Sequence, residues 1–171
     1  MKLTSRFDAL VPHAALACAL VALAGPAAAG PVEVLFVDAD NFADAGTRRV
    51  DEEDNLKKLS DHLQALGRQY LPADRSLKLE VLDVDLAGEP RPTTRGDLRI
   101  SRGTADIPRI RLRYSLQGDG KTLMQGEETI SDLNYQRNIR TPKSELPLAP
   151  EKLMLEQWFR ARFGTAVAHG S

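Results

Sequence analysis

Asp83 and Asp85 stand one residue apart in VLDVDLAGEP, and Asp38 and Asp40 repeat that spacing in LFVDAD. Carboxylates two apart on an extended chain project to the same side. If both segments are parallel strands, all four acids gather at one carboxyl-end edge of a sheet, where open α/β sheets place ligands. Acids that close repel, and a hard cation such as Ca²⁺ or Mg²⁺ would relieve them through oxygen ligands. Asp38, Asp40, Asp83 and Asp85 are therefore the candidate metal ligands, with metal-dependent hydrolysis as the chemistry they could serve. The calcium-loop pattern itself fails, because DADNFADAG has Phe42 where an oxygen ligand belongs and lacks the glycine that should follow. The plainer alternative leaves these acids solvated or paired with arginines. A paired-carboxylate glycosidase would need aromatic sugar platforms, and Trp158 reads as core.

A second constellation is basic. Arg109, Arg111 and Arg113 share one face of PRIRLRYSLQ, whose other face carries Ile110, Leu112, Tyr114 and Leu116. Arg91, Arg95, Arg99 and Arg102 precede them, against only Asp97 and Asp106. Such a stripe could hold phosphate or carboxylate groups, including anionic groups of the envelope such as a lipid headgroup. Glu127 and Glu128 on the following segment are placed to neutralise it across the strands. No aromatic residues interleave with these arginines, so nucleic-acid bases have no stacking platform. Asp132, Asn134 and Tyr135 in SDLNY suit Asx-type capping of the loop that follows, or a small hydrogen-bonding site. No Gly-x-Ser-x-Gly elbow, phosphate loop or His-Glu-x-x-His occurs. His62 sits beside the apolar stripe of a predicted helix and His169 in the tail, so no catalytic residue is assigned. No cofactor is implied.

These side chains are carried by a simple series of elements. Val32–Val37 alternates as a strand, and DEEDNLKKLSDHLQALGRQYLP is a helix with acids in its first turn. Its stripe is Leu56, Leu59, Leu63, Leu66 and Tyr70, with Pro72 ending it. SLKLEVLDVDLAG is the next strand, parallel to the first across a right-handed crossover. Its apolar side changes near Val81, which implies a bulge or a strand leaving a two-sided core. AGEPRPTTRG reads as a proline-rich polar loop, and DLRIS as a short strand. PRIRLRYSLQ and TLMQGEETISDL form a hairpin about Asp119-Gly120, with Gly126 as an expected bulge. A last helix begins at Pro150, presents Leu155, Trp158, Phe159 and Phe163, and ends at Gly164.

The N-terminus reads as an address. Lys2 and Arg6 precede an Ala/Leu-rich apolar run, and PAAAG supplies the small residues of a cleavage site, predicting a signal peptide over residues 1–29. Cleavage after Ala29 fits best, with a second site ending at Ala24. The run is too short for a membrane span of about 20 residues, so the mature chain carries no transmembrane segment. Cys18 is a poor lipid-attachment site, since Ala15 stands where a large aliphatic belongs and the apolar run continues past it. Removing the leader removes the only cysteine, and with it disulfides, thiol chemistry and Cys-based metal sites. Residues 30–171 have the length of one domain. The formal net charge of −1 argues against global steering to nucleic acid or anionic membrane.

In order along the chain, VEVLFVD, NLKKLSDHLQAL, LKLEVLDVDLAGE, PRIRLRYSL, ISDLNY and EKLMLEQWFRARF resemble a family of exported bacterial proteins, domain of unknown function 3016. The resemblance implies an exported Gram-negative single-domain protein and carries no catalytic residues with it. The expected fold is α+β: a mixed, mainly antiparallel four- to five-stranded sheet with two amphipathic helices on one face, ordered β-α-β-(β)-β-β-α. The expected role is a non-catalytic periplasmic binding or interaction module, whose partner is an envelope protein or a small ligand and not nucleic acid.

Overall fold

The alternation of VEVLF forms strand β1 (Val32–Phe36), and a 3-10 turn at Ala39–Asn41 leads to helix α1 (Arg49–Tyr70). Strands β2 (Arg75–Asp85), β3 (Glu89–Thr93), β4 (Gly96–Ile100), β5 (Arg109–Gly118) and β6 (Lys121–Ser131) follow, then the single-turn helix α2 (Tyr135–Asn138) and helix α3 (Ala149–Phe163). The computed structural model describes residues 31–94, 96–100, 106–138 and 147–164. The leader with Cys18, Arg95, Arg102, the polar stretch 139–146 and the tail with His169 lie outside them.

The main sheet has the order β1-β2-β5-β6, with β1 parallel to β2 and the other pairs antiparallel. This is the expected α+β fold, with one change. The fifth strand does not join the main sheet; β4 pairs with β3 in a separate hairpin, so the segment expected as a proline-rich loop is half of a two-stranded ladder. Pro90 and Pro92 have no N–H, and prolines two apart both keep their nitrogens on the side away from the partner. The outer edge of β3 thus lacks donors at alternate positions, which suits a free edge.

Helices α1 and α3 pack on one side of the sheet. Leu56, Leu59, Leu63 and Leu66 of α1 and Met154, Leu155, Phe159 and Phe163 of α3 are buried against Leu77, Leu79, Val81 and Val84 of β2. Ile110, Leu112, Tyr114 and Leu116 of β5 complete this core. Along α1, ion pairs at four-residue spacing join Asp54 to Lys58, Lys57 to Asp61 and Arg49 to Glu53.

Two bulges set which side chains reach the uncovered face. In β2 the register steps from Val81↔Leu112 to Asp83↔Arg111, so Leu82 is the extra residue. This realises the expected change of buried side near Val81. Before the step, odd positions face the core; after it, Val84 does and Asp83 and Asp85 turn outward. The second bulge is not at Gly126. The step in β6 falls between Leu116↔Met124 and Gln117↔Thr122, leaving Leu123 as the extra residue. Gly126 pairs regularly with Tyr114, and a Cβ there would stand 2.8 Å from the Tyr114 hydroxyl. The glycine makes room for a ring rather than kinking the strand. The turn between β5 and β6 is as expected: Asp119 and Gly120 both take positive φ, 53° and 70°, the conformation of a tight two-residue hairpin.

Candidate functional site

The uncovered face of the sheet carries a ladder of acids and arginines. Across β2 and β5, Glu80 stands opposite Arg113, Asp83 opposite Arg111 and Asp85 opposite Arg109. On the other side of β5, Arg113 faces Glu127, Arg111 faces Thr129 and Arg109 faces Ser131. The bulge at Leu82 creates the two lower acid–arginine rungs, because it brings Asp83 and Asp85 to the face that Glu80 already occupies.

The rungs differ in strength. Arg113 donates to Glu80 at 2.9 Å and to Glu127 at 3.0 Å. Lys78 also reaches Glu80, at 3.0 Å, and these two cations, Lys78 first, hold that carboxyl below its usual range. Arg111 meets Glu127 only at 3.8 Å, and Arg109 meets Asp85 only at 3.7 Å. Asp83 instead accepts the Ala43 N–H at 2.9 Å. Burial pushes the Asp85 carboxyl above its usual range; Arg109 opposes this, and the neighbouring Asp44 and Asp83 add to it. Glu128, expected to pair with the stripe, faces the helices instead, since neighbours in a strand point to opposite sides. It accepts from Arg162, from Trp158 Nε1 at 3.0 Å and from the Tyr114 hydroxyl; burial pushes its carboxyl up, and these donors together bring it below its usual range.

The four aspartates of the first two strands are only partly brought together. Asp83 and Asp85 share the end of β2. Asp38 accepts from the Asn41 side chain within its own turn, at 2.9 Å, and Asp40 lies exposed in the 3-10 turn. The acid that stands beside Asp85 is Asp44, on a segment running parallel to the end of β2. Its N–H donates to Val84 O at 2.9 Å, and its carbonyl accepts from the Leu86 N–H at 3.0 Å. Arg99 of β4 reaches in to donate to Asp44 Oδ1 at 2.7 Å. Among the described residues, no group of three or more His, Cys, Asp or Glu side chains is placed to hold a metal ion. Arginine lies among these acids, and the arrangement is an ion-pair network.

Two further features escaped sequence reasoning. Glu151, in the first turn of α3, is 1% exposed and accepts the Ala87 N–H at 2.7 Å. Burial pushes its carboxyl up, against the backbone N–H groups that favour the ion. Glu151 stands four residues before Leu155, on the same helical stripe, and that spacing is the signal that marks it as an inward acid. Arg99 also donates from Nη1 to the carbonyls of Leu86, Ala87 and Gly88, at 3.2, 3.4 and 2.9 Å. The 86–88 segment is thus held from one side by α3 and from the other by the β3–β4 hairpin.

The remaining candidates are structural in their contacts. Asp132 accepts the Asn134 N–H at 2.8 Å in an Asx turn and the Asn138 side chain at 2.8 Å, capping α2, and Tyr135 is buried. His62 Nε2 lies 2.9 Å from the Lys152 carbonyl, and burial lowers its pKa.

Fold and face together define a one-sided α+β protein with helices on one side of its sheet and a charged ladder on the other. The chain belongs to the family described as protein of unknown function (DUF3016), whose model matches residues 30–161. No curated protein and no solved structure matches it. Among the described residues, no helix is long and apolar enough to cross a membrane.

Proposed function

We propose that the chain is an exported envelope protein acting in the periplasm as a non-catalytic binding module, with the uncovered face of the sheet as its binding surface. The export half of this reading rests on residues 1–29, with their basic start, apolar run and small-residue cleavage site. The binding half is carried by one observation: acids, arginines and hydroxyls line one uncovered face, where Arg113 is held by both Glu80 and Glu127 while Arg109 and Arg111 stay half exposed. A catalytic acid or base would need a carboxyl or imidazole within reach of substrate and tuned for proton transfer. His62 is engaged by the Lys152 carbonyl and Asp83 by the Ala43 N–H. Asp85, its carboxyl raised by burial, faces Arg109 at 3.7 Å, and among the described residues no second acid or imidazole is hydrogen-bonded to it as a proton-transfer partner.

Cell fractionation tests the address: the protein should be released with the periplasmic contents, beginning at Gly30. Recovery of the intact leader in the cytoplasm would sink that half. Activity screens against esters, phosphoesters, glycosides and peptides test the other half. Turnover that Asp83→Asn or Asp85→Asn abolishes would overturn it.

A further inference from the structure

The rungs of the ladder are unequal, and the inequality picks out a ligand class for the face proposed above as the binding surface. Arg113 is saturated by two carboxylates at hydrogen-bond distance. Arg109 and Arg111 are half exposed, at 49% and 51%, with their acids 3.7 and 3.8 Å away. Among the described residues, neither guanidinium donates a hydrogen bond. Opposite them on β6 stand the exposed hydroxyl residues Ser131 and Thr129, on the same face because they are direct antiparallel partners.

Two guanidinium forks two residues apart on one strand arise about 7 Å apart, close enough for both to converge on one group. A carboxylate has two oxygens, and a single fork satisfies both. Two forks with two hydroxyls offer more donors than that, and a tetrahedral oxyanion can use them. The adjacent strand supplies the opposite sign. Asp83 and Asp85 lie about 5 Å to the side, the ordinary spacing between strands. A polyanion would therefore meet a balanced field and gain little steering. A small ester with phosphate at one end and ammonium at the other would match both columns.

We propose that Arg109 and Arg111, with Thr129 and Ser131, bind the phosphate of an amino-phosphate ester whose ammonium lies along Asp83 and Asp85. The shared chemistry is that of a phosphoethanolamine group, either free or as a lipid headgroup. This proposal rests on the face being a binding surface and does not depend on the export reading.

The test is to titrate O-phosphoethanolamine and inorganic phosphate separately into the purified protein and follow amide and arginine side-chain resonances. The expected result is saturable shifts at residues 109, 111, 129 and 131, with phosphoethanolamine the tighter ligand. Arg109→Lys with Arg111→Lys keeps the charge and removes the forks, and should weaken binding by roughly tenfold. Arg113→Lys should change it less than about twofold, its fork being held by two acids. Asp83→Asn with Asp85→Asn should level the two ligands. Co-flotation with phosphatidylethanolamine vesicles but not phosphatidylcholine vesicles would assign the lipid as source. Binding of the free ester without flotation would assign the soluble form. Absence of shifts at tens of millimolar, equal affinity for the two ligands, or equal loss in the Arg113 variant would overturn the proposal. Those failures leave the non-catalytic reading standing, since only turnover removes it.

Discussion

Glu151 is an acid placed where a charge is costly, and it accepts the Ala87 N–H just past the end of β2. Glu151→Ala leaves the Ala87 N–H without its 2.7 Å partner in a buried position, so it should destabilise by about 1–3 kcal/mol. Glu151→Gln keeps the acceptor and removes the desolvated charge. Because the folded-state pKa is raised above the ordinary value, the parent's advantage is fully present below that value and is lost as pH rises through the folded one. Urea unfolding at pH 4 to 8 should show the Gln variant gaining on the parent as pH rises, and a pH-independent difference would refute this. The comparison must be between variant and parent, since His62 titrates with the opposite sign. Its lowered pKa gives stability that is lost as pH falls below the ordinary histidine value. At this scale the sequence displayed the acids but not their company. Asp83 and Asp85 are conspicuous as a pair, yet the acid that joins them is Asp44, which only a ladder across forty residues of chain brings there.

The elements were legible where a local pattern decides them. The stripe of α1, the Asp119-Gly120 turn and the side change in β2 each depend on residues within a few positions, and each is found as read. What could not be read depends on the partner strand. Gly126 breaks the pattern of β6 and so reads as a kink, but its reason is the Tyr114 ring across the ladder. That ring is packed edge-on by Trp158 and Phe163, at 6.1 and 5.8 Å between centroids, and cannot swing aside. Gly126→Ala should therefore overpack the site and destabilise by about 1–3 kcal/mol. Chemical denaturation would show it, and a change of a few tenths would mean that Tyr114 moves freely. The β3–β4 hairpin was missed for a related reason: prolines at alternate positions argue against a strand unless that strand has a free edge to put them on.

At the scale of the molecule, one clamp and one bare face matter most. Arg99 joins the hairpin to the body through three carbonyls and Asp44. Arg99→Lys shortens that reach to a single ammonium, so amide exchange in Glu89–Thr93 should quicken while exchange in β2 and β5 stays slow. Uniform acceleration would mean that the clamp supports the whole fold. On the bare face, Asp83 and Asp85 work against a backbone N–H and an arginine. Millimolar calcium or magnesium should thus leave the melting temperature unchanged, and a rise reversed by chelator would restore a cation to the site. The strand order also has a consequence in time. Residues 109–131 close on a two-residue turn, while Val32 must find Leu77 across the length of a helix. Local contacts form first, because closing a long loop costs more entropy. Refolding should thus begin at the β5–β6 hairpin and reach β1 only after β2 has docked.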